Sequence, residues 1–133
     1  MSDRSVAFID SLDRRVTDIA ATCTACGACA SACPTLAVAG IDGNDTQALT
    51  SGVRDILRTG EGPEASEQWS KVCCGSGDCL TVCPEGINPR FMLTMARRAL
   101  TQANPEPERR AAGKAAFQKM SRGVRVLSRL SLP

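Results

Sequence analysis

The residues most able to do chemistry in this sequence are its eight cysteines, which fall into two segments beginning at Cys23 and Cys73. The first segment has the spacing C-x2-C-x2-C-x3-C followed by Pro34, the spacing of bacterial-type iron–sulfur ligation. Three thiolates at three-residue steps can surround three corners of one cubane. Small residues between them let backbone amides approach its sulfides. This segment therefore predicts a [4Fe–4S] cluster.

The second segment is an altered copy of the first. Counted back from its terminal proline, Cys83, Cys79 and Cys73 match the first segment, but Ser76 stands where a cysteine is expected. An additional cysteine, Cys74, lies two residues earlier. The segment predicts a second cluster with Cys74 as its fourth ligand. The alternatives are ligation by the Ser76 oxygen and a three-iron [3Fe–4S] site.

The two segments are expected to share their ligands, because in two-cluster proteins the last cysteine of each run binds the other cluster. The predicted ligands of the first cluster are Cys23, Cys26, Cys29 and Cys83. Those of the second are Cys33, Cys73, Cys74 and Cys79. Such ligation joins distant parts of the sequence, so we expect the chain without metal to be poorly folded.

Other functions are less consistent with these residues. The chain has no histidine and no glycine-rich nucleotide-binding fingerprint, so no catalytic residue is predicted. A structural zinc adaptor is one alternative, although zinc sites usually pair two separated C-x2-C knuckles. An iron–sulfur redox sensor is another, but a nucleic-acid reader would need a helix-turn-helix or a stronger basic patch. We therefore expect no nucleic-acid partner.

The apolar spacing around the cysteine segments predicts helices and no strand. The predicted helices cover residues 5–21, 46–58, 64–72, 89–102 and 108–130. Asp45 is the predicted N-cap of the second helix, and Trp69 is predicted to be a core aromatic. The first helix has an apolar stripe of Phe8, Ile9, Leu12, Val16 and Ile19, and the 89–102 helix one of Phe91, Met92, Met95, Ala96 and Ala99. The fold class is all-α.

The charge is unevenly distributed, which predicts two functional parts. Residues 105–133 contain seven Lys or Arg and two Glu. We predict a dicluster domain over residues 1–104, and a linker with a basic amphipathic helix over residues 105–133. The helix has a narrow seam of Phe117, Met120, Val124 and Leu127. It is expected to dock on a partner, with a solvated helix face as the alternative.

The beginning of the sequence has scattered charges and no apolar leader, and no stretch approaches the roughly 18 apolar residues of a membrane span. We therefore expect a cytoplasmic protein without a membrane span. Thiols stay reduced in that compartment, where clustered cysteines are more often metal ligands than disulfides.

Together, these features resemble one family. The paired motifs, Trp69 before the second of them, and the run from Pro84 to Pro89 are similar to the C subunit of heterodisulfide reductase and related helical-ferredoxin electron-transfer subunits, over residues 5–103. The resemblance implies an α-helical ferredoxin with two cluster-binding loops, flanked by N-terminal and C-terminal amphipathic helices. It also implies electron transfer between a flavin- or ferredoxin-linked subunit and a catalytic B-type subunit, as in bacterial sulfur-oxidising heterodisulfide-reductase-like complexes. The sequence departs from the family pattern at Cys74 and Ser76.

Overall fold

A computed structural model describes residues 2–103 and 106–130 of the protein. Within these two ranges the chain forms eight α-helices and no strand, so the all-α prediction is confirmed. The helices are α1 (Asp3–Thr22), α2 (Ala28–Ser31), α3 (Thr35–Val38), α4 (Thr46–Thr59), α5 (Glu64–Val72), α6 (Cys79–Val82), α7 (Pro89–Ala103) and α8 (Glu106–Leu130). None of the helices in these ranges combines the length and apolar character that a bilayer crossing requires.

The chain divides into two compact units, Met1–Leu100 and Thr101–Pro133. The first unit contains both cysteine segments, and the second contains α8. Pro105, the first residue of the predicted linker, lies outside the described residues, as do Asn104 and residues 131–133. Helix α8 begins at Glu106, two residues before the predicted start, and it accommodates Pro107 in its first turn, where proline is tolerated.

The packing of α1 differs from the prediction at its N-terminal end. The side chain of Ser2 caps the helix by accepting a hydrogen bond from the N–H of Ser5. Ala20 is buried and Ile19 packs against the core, but Phe8 is 62% exposed. The predicted stripe is therefore wrong at Phe8, because it is the C-terminal end of α1 that reaches the core.

Helix α4 forms the centre of the first unit. Asp45 accepts a 2.8 Å hydrogen bond from the N–H of Ala48, which confirms the predicted N-cap. The helix ends at Gly60, whose φ of +83° is a left-handed conformation that glycine adopts without a steric penalty. The buried face of α4 carries Leu49, Val53 and Ile56.

Helices α5 and α7 complete the core around α4. Trp69 on α5 is 0% exposed, so its predicted core position is confirmed. Gly52 on α4 allows close packing of α5, because a Cβ atom there would collide with the side chain of Ser66. On α7, the buried hydrophobic residues include Leu93 and Leu100, which the predicted stripe omitted. Phe91 is only half-buried, and the Arg15 guanidinium carbon lies 4.4 Å from its ring centroid.

Candidate metal centre

The two cysteine segments form similar loops, each followed by a short helix. Ala25 and Gly27 have positive φ angles of +56° and +82° in the first loop, and Gly75 and Gly77 have +75° and +90° in the second. Ser76 therefore lies between two left-handed residues, in the same place as the first loop's second cysteine. The conformation that projects a thiol in one loop projects a hydroxyl in the other.

Packing brings the two segments together. Helix α2, which follows the first loop, contacts helix α6, which follows the second. Gly27 is required where the first loop meets α4, because a Cβ atom there would lie 2.5 Å from the Oγ1 of Thr46 and its φ is positive. The loops and short helices border two cavities that open to solvent, each with about 300 Å³ of empty space including its mouth.

The first cavity is lined by the cysteines Cys23, Cys26, Cys29 and Cys83. Cys23 and Cys29 are buried, Cys83 is half-buried, and Cys26 is exposed. The apolar side chains of Ile87 and Met92 also line this cavity, together with the carboxylate-bearing residue Glu85.

The second cavity is lined by the cysteines Cys33, Cys73, Cys74 and Cys79. Cys79 is buried and Cys74 is exposed. Ser76, Trp69 and Arg90 contribute to the same wall, and the Arg90 guanidinium donates a 3.4 Å hydrogen bond to the carbonyl oxygen of Gly75. Cys29 lines this cavity as well as the first, so one thiol belongs to the wall between the two sites.

This arrangement brings together every predicted site residue. Each cavity is lined by three cysteines of one segment and the last cysteine of the other, as in the predicted ligand sets, and Cys29 of the first set also borders the second cavity. All eight cysteines lie in the described ranges, and each is a free thiol. No group of three or more Cys, Asp or Glu side chains in the described ranges converges on a single-ion site. Ligation by these thiols stays a prediction.

Cys33 has two polar side chains within hydrogen-bond distance of its sulfur. Its Sγ atom lies 3.0 Å from the Oγ1 of Thr35 and accepts a 3.2 Å hydrogen bond from the Nε1 of Trp69. Burial raises the pKa of the Cys33 thiol, but hydrogen bonds from Thr35, Trp69 and the backbone of Thr35 and Leu36 outweigh it. The pKa of Cys33 is therefore below the usual value of a cysteine.

Cys29 has the opposite environment. Burial raises the pKa of its thiol to about 11, against a weaker opposing effect of the Thr50 hydroxyl, which lies 3.7 Å from its Sγ atom. The neighbouring thiols Cys23 and Cys79, one from each cavity, also raise this pKa. Burial likewise raises the pKa of Cys79. These buried thiols become thiolates when a metal coordinates them, because coordination removes the proton outright.

The residues around both cavities fit an iron–sulfur cluster. Thiolates are the soft ligands that such clusters use, and each cavity is lined by at least four cysteines. Small residues lie beside them: Ala25 and Ala28 in the first cavity, Gly75 and Gly77 in the second. Their size leaves the centre of each cavity open to an inorganic group.

Sequence reasoning missed two hydroxyl residues that lie beside the thiols. Thr35 and Thr50 belong to no cysteine motif, and their roles depend on how the helices pack. The one available signal was the position of Thr35, two residues after Cys33, where a side chain can bond back to the preceding turn.

Comparison with known proteins points to the same chemistry. A family model described as a 4Fe-4S dicluster domain matches residues 19–87, a range that contains all eight cysteines. Neither the curated proteins nor the solved structures gave a significant match.

Proposed function

Because this chain belongs to the 4Fe-4S dicluster domain family, we propose that it holds one [4Fe–4S] cluster in each cavity and transfers electrons as a subunit of a heterodisulfide-reductase-like complex. Cys23, Cys26, Cys29 and Cys83 are the proposed ligands of the first cluster. Cys33, Cys73, Cys74 and Cys79 are those of the second. The observation that carries the proposal is the division of eight free thiols between two adjacent cavities.

The protein's own residues hold and shield the two sites. When bound, each cluster supplies one-electron chemistry at a potential that its surroundings determine. Met92 and Ile87 exclude water from the inner wall of the first cavity, and Trp69 and Leu93 do so in the second. Cys26 and Cys74 are exposed, so each cavity has one edge that a partner protein can approach.

A short path between the two sites supports electron transfer through the chain. Cys29 lines both cavities, so one residue is common to the walls of the two sites. One partner can therefore deliver an electron at one exposed edge while another accepts it at the other. A chain without predicted catalytic residues is suited to this role.

The proposed partners are a catalytic B-type subunit and a flavin- or ferredoxin-linked subunit, in a cytoplasmic complex. Helix α8 supports a docking role, because Phe117, Met120 and Val124 are each more than 60% exposed along one seam. The helix also carries seven basic residues and two acidic ones. An apolar seam beside positive charge fits a partner groove with an acidic rim.

Anaerobic iron and sulfide quantitation, with electron paramagnetic resonance (EPR) after reduction, tests the cluster assignment. We expect about eight irons per chain and two interacting signals, because each cubane contains four irons. About seven irons, with a signal already present in the oxidised protein, would identify a three-iron second site. Zinc alone, in protein never exposed to oxygen, would overturn electron transfer in favour of a structural adaptor.

Complex membership is tested by coexpression with a tagged B-type subunit. A double variant, Phe117→Ser with Val124→Ser, is expected to lose co-purification while keeping its iron content, since α8 lies outside the cysteine-bearing unit. The matched control is Gln118→Ser on the same helix. If the unmodified chain, the double variant and the Gln118→Ser control co-purify equally, α8 is not the docking element.

A further inference from the structure

The two cavities differ in the hydrogen bonds that their thiols receive. In the second cavity, Cys33 Sγ lies 3.2 Å from the indole Nε1 of Trp69 and 3.0 Å from the hydroxyl of Thr35. A thiolate has no hydrogen to donate, so both groups act as donors once Cys33 binds metal. Trp69 is 0% exposed, and within residues 2–103 and 106–130 its indole N–H donates to no acceptor other than this sulfur.

The corresponding contact in the first cavity is weaker. The Thr50 hydroxyl lies 3.7 Å from Cys29 Sγ, and it already donates a 2.8 Å hydrogen bond to the carbonyl oxygen of Thr46. A hydroxyl has one hydrogen, so Thr50 has none left for a thiolate at Cys29. The strong side-chain donors are thus confined to the second cavity.

The charged residues at the two cavities also differ, and the positive one is at the second cavity. Arg90 lines the second cavity, and Glu85 lines the first. Both side chains are exposed, so solvent screening reduces their influence. The buried bond from Trp69 is not screened in this way, and we therefore regard it as the main difference between the sites.

We propose that Trp69, assisted by Thr35, makes the second cavity the site that is reduced first, so that electrons move from the Cys23 side of the chain towards the Cys33 side. This inference rests on the proposed function. Reduction adds one electron to a site, and no bond is formed or broken. Donors on a ligand sulfur stabilise the added negative charge, which raises the reduction potential. Trp69 is a positioning residue that acts through Cys33.

Potentiometric titration of the reconstituted full chain, followed by EPR, measures this difference. The Cys26→Ala variant identifies which midpoint belongs to the first cavity. In the unmodified chain we expect the second site to have the higher midpoint. Trp69→Phe, which removes the N–H and keeps an aromatic ring, should make reduction of the second site at least about tenfold less favourable. A tenfold change corresponds to about 59 mV for one electron.

A second variant covers the case in which Trp69→Phe does not fold. Thr35→Val removes the other donor, and it should lower the same midpoint without loss of iron. The matched control is Thr50→Val, which should leave the second midpoint unchanged because Thr50 lines the first cavity and not the second.

The outcomes separate the two proposals. Fewer than two reducible iron–sulfur sites in the unmodified chain would overturn the proposed function, and this inference with it. Two intact sites whose second midpoint is the lower one, or does not move in either Trp69→Phe or Thr35→Val, would overturn the inference alone.

Discussion

The guanidinium group of Arg54, on α4, donates a 3.2 Å hydrogen bond to the backbone carbonyl oxygen of Cys23. The neighbouring Arg58 donates a 2.8 Å bond to the carbonyl oxygen of Ala20. These two bonds tie the C-terminal end of α1 to α4. They fix the point at which the chain leaves α1 and enters the first cysteine loop.

Replacing Arg54 should loosen that attachment. Arg54→Met keeps most of the length of the side chain but removes its donors, and a hydrogen bond from a charged group contributes about 1.5–3 kcal/mol. We expect the first cluster to be lost to an iron chelator about tenfold faster, which corresponds to about 1.4 kcal/mol. Visible absorbance under anaerobic conditions measures the rate. Arg14→Met, at an exposed position on α1, is the control, and equal rates for both variants would contradict a role for Arg54.

Removing the last cysteine of each segment tests the shared ligation. Cys83→Ala lies in the second segment but lines the first cavity, so it should abolish the same EPR signal as Cys26→Ala. Cys33→Ala should abolish the other signal, as should Cys73→Ala. If Cys83→Ala instead matches Cys73→Ala, each segment binds its own cluster and the division of ligands is wrong.

The fourth ligand of the second cluster is tested by a pair of single substitutions. Ser76 occupies the position that Cys26 has in the first segment, but Cys74 has the softer donor atom. Both residues line the second cavity. Thr24, which occupies the position of Cys74 in the first segment, lines the first cavity. A residue at this position can therefore reach the cavity wall. We expect Cys74→Ala to lose about one iron or more per chain and Ser76→Ala to keep its full content. The reverse result in iron quantitation would assign the ligand to Ser76.

The contact between α4 and α5 provides a test of packing. Gly52→Ala would force its new methyl group against Ser66 and Pro63, and overpacking of this kind costs about 1–3 kcal/mol. The fraction of bound cluster that survives heating should therefore be lower in Gly52→Ala than in the unmodified chain. Gly113→Ala on α8 is the matched control, because no atom lies within 4 Å of a Cβ there and alanine is the better helix former by up to about 1 kcal/mol. Equal retention by both variants would mean that α5 can move away from Gly52 at little cost.

The features that could be predicted from the sequence were those that local spacing determines. The steps between cysteines and the trailing prolines predicted an iron–sulfur domain, in agreement with the match to the 4Fe-4S dicluster domain family. Asp45 predicted the start of α4. Trp69 could be placed in the core because the chain has one tryptophan and few other aromatics.

The features that could not be predicted depend on which elements meet. Phe8 and Ile19 both follow the helical spacing of apolar residues along α1, but the hydrophobic core does not extend to Phe8. The bond from Trp69 to Cys33 joins residues 36 positions apart, so it depends on α5 packing beside α3. Leu93 and Leu100 were omitted from the α7 stripe because their burial depends on the neighbours on that face.

The proposed sharing of cluster ligands between the two segments has a consequence for how the protein is made in the cell. Under the proposed ligation, a ribosome releases the first three ligands of the first site well before it reaches Cys83, the fourth, which is 54 residues beyond Cys29. A partly synthesised chain therefore offers an incomplete set of thiols. Cluster delivery must wait until both segments have been translated and brought together, so maturation of the two sites is expected to be a single late event rather than two successive ones.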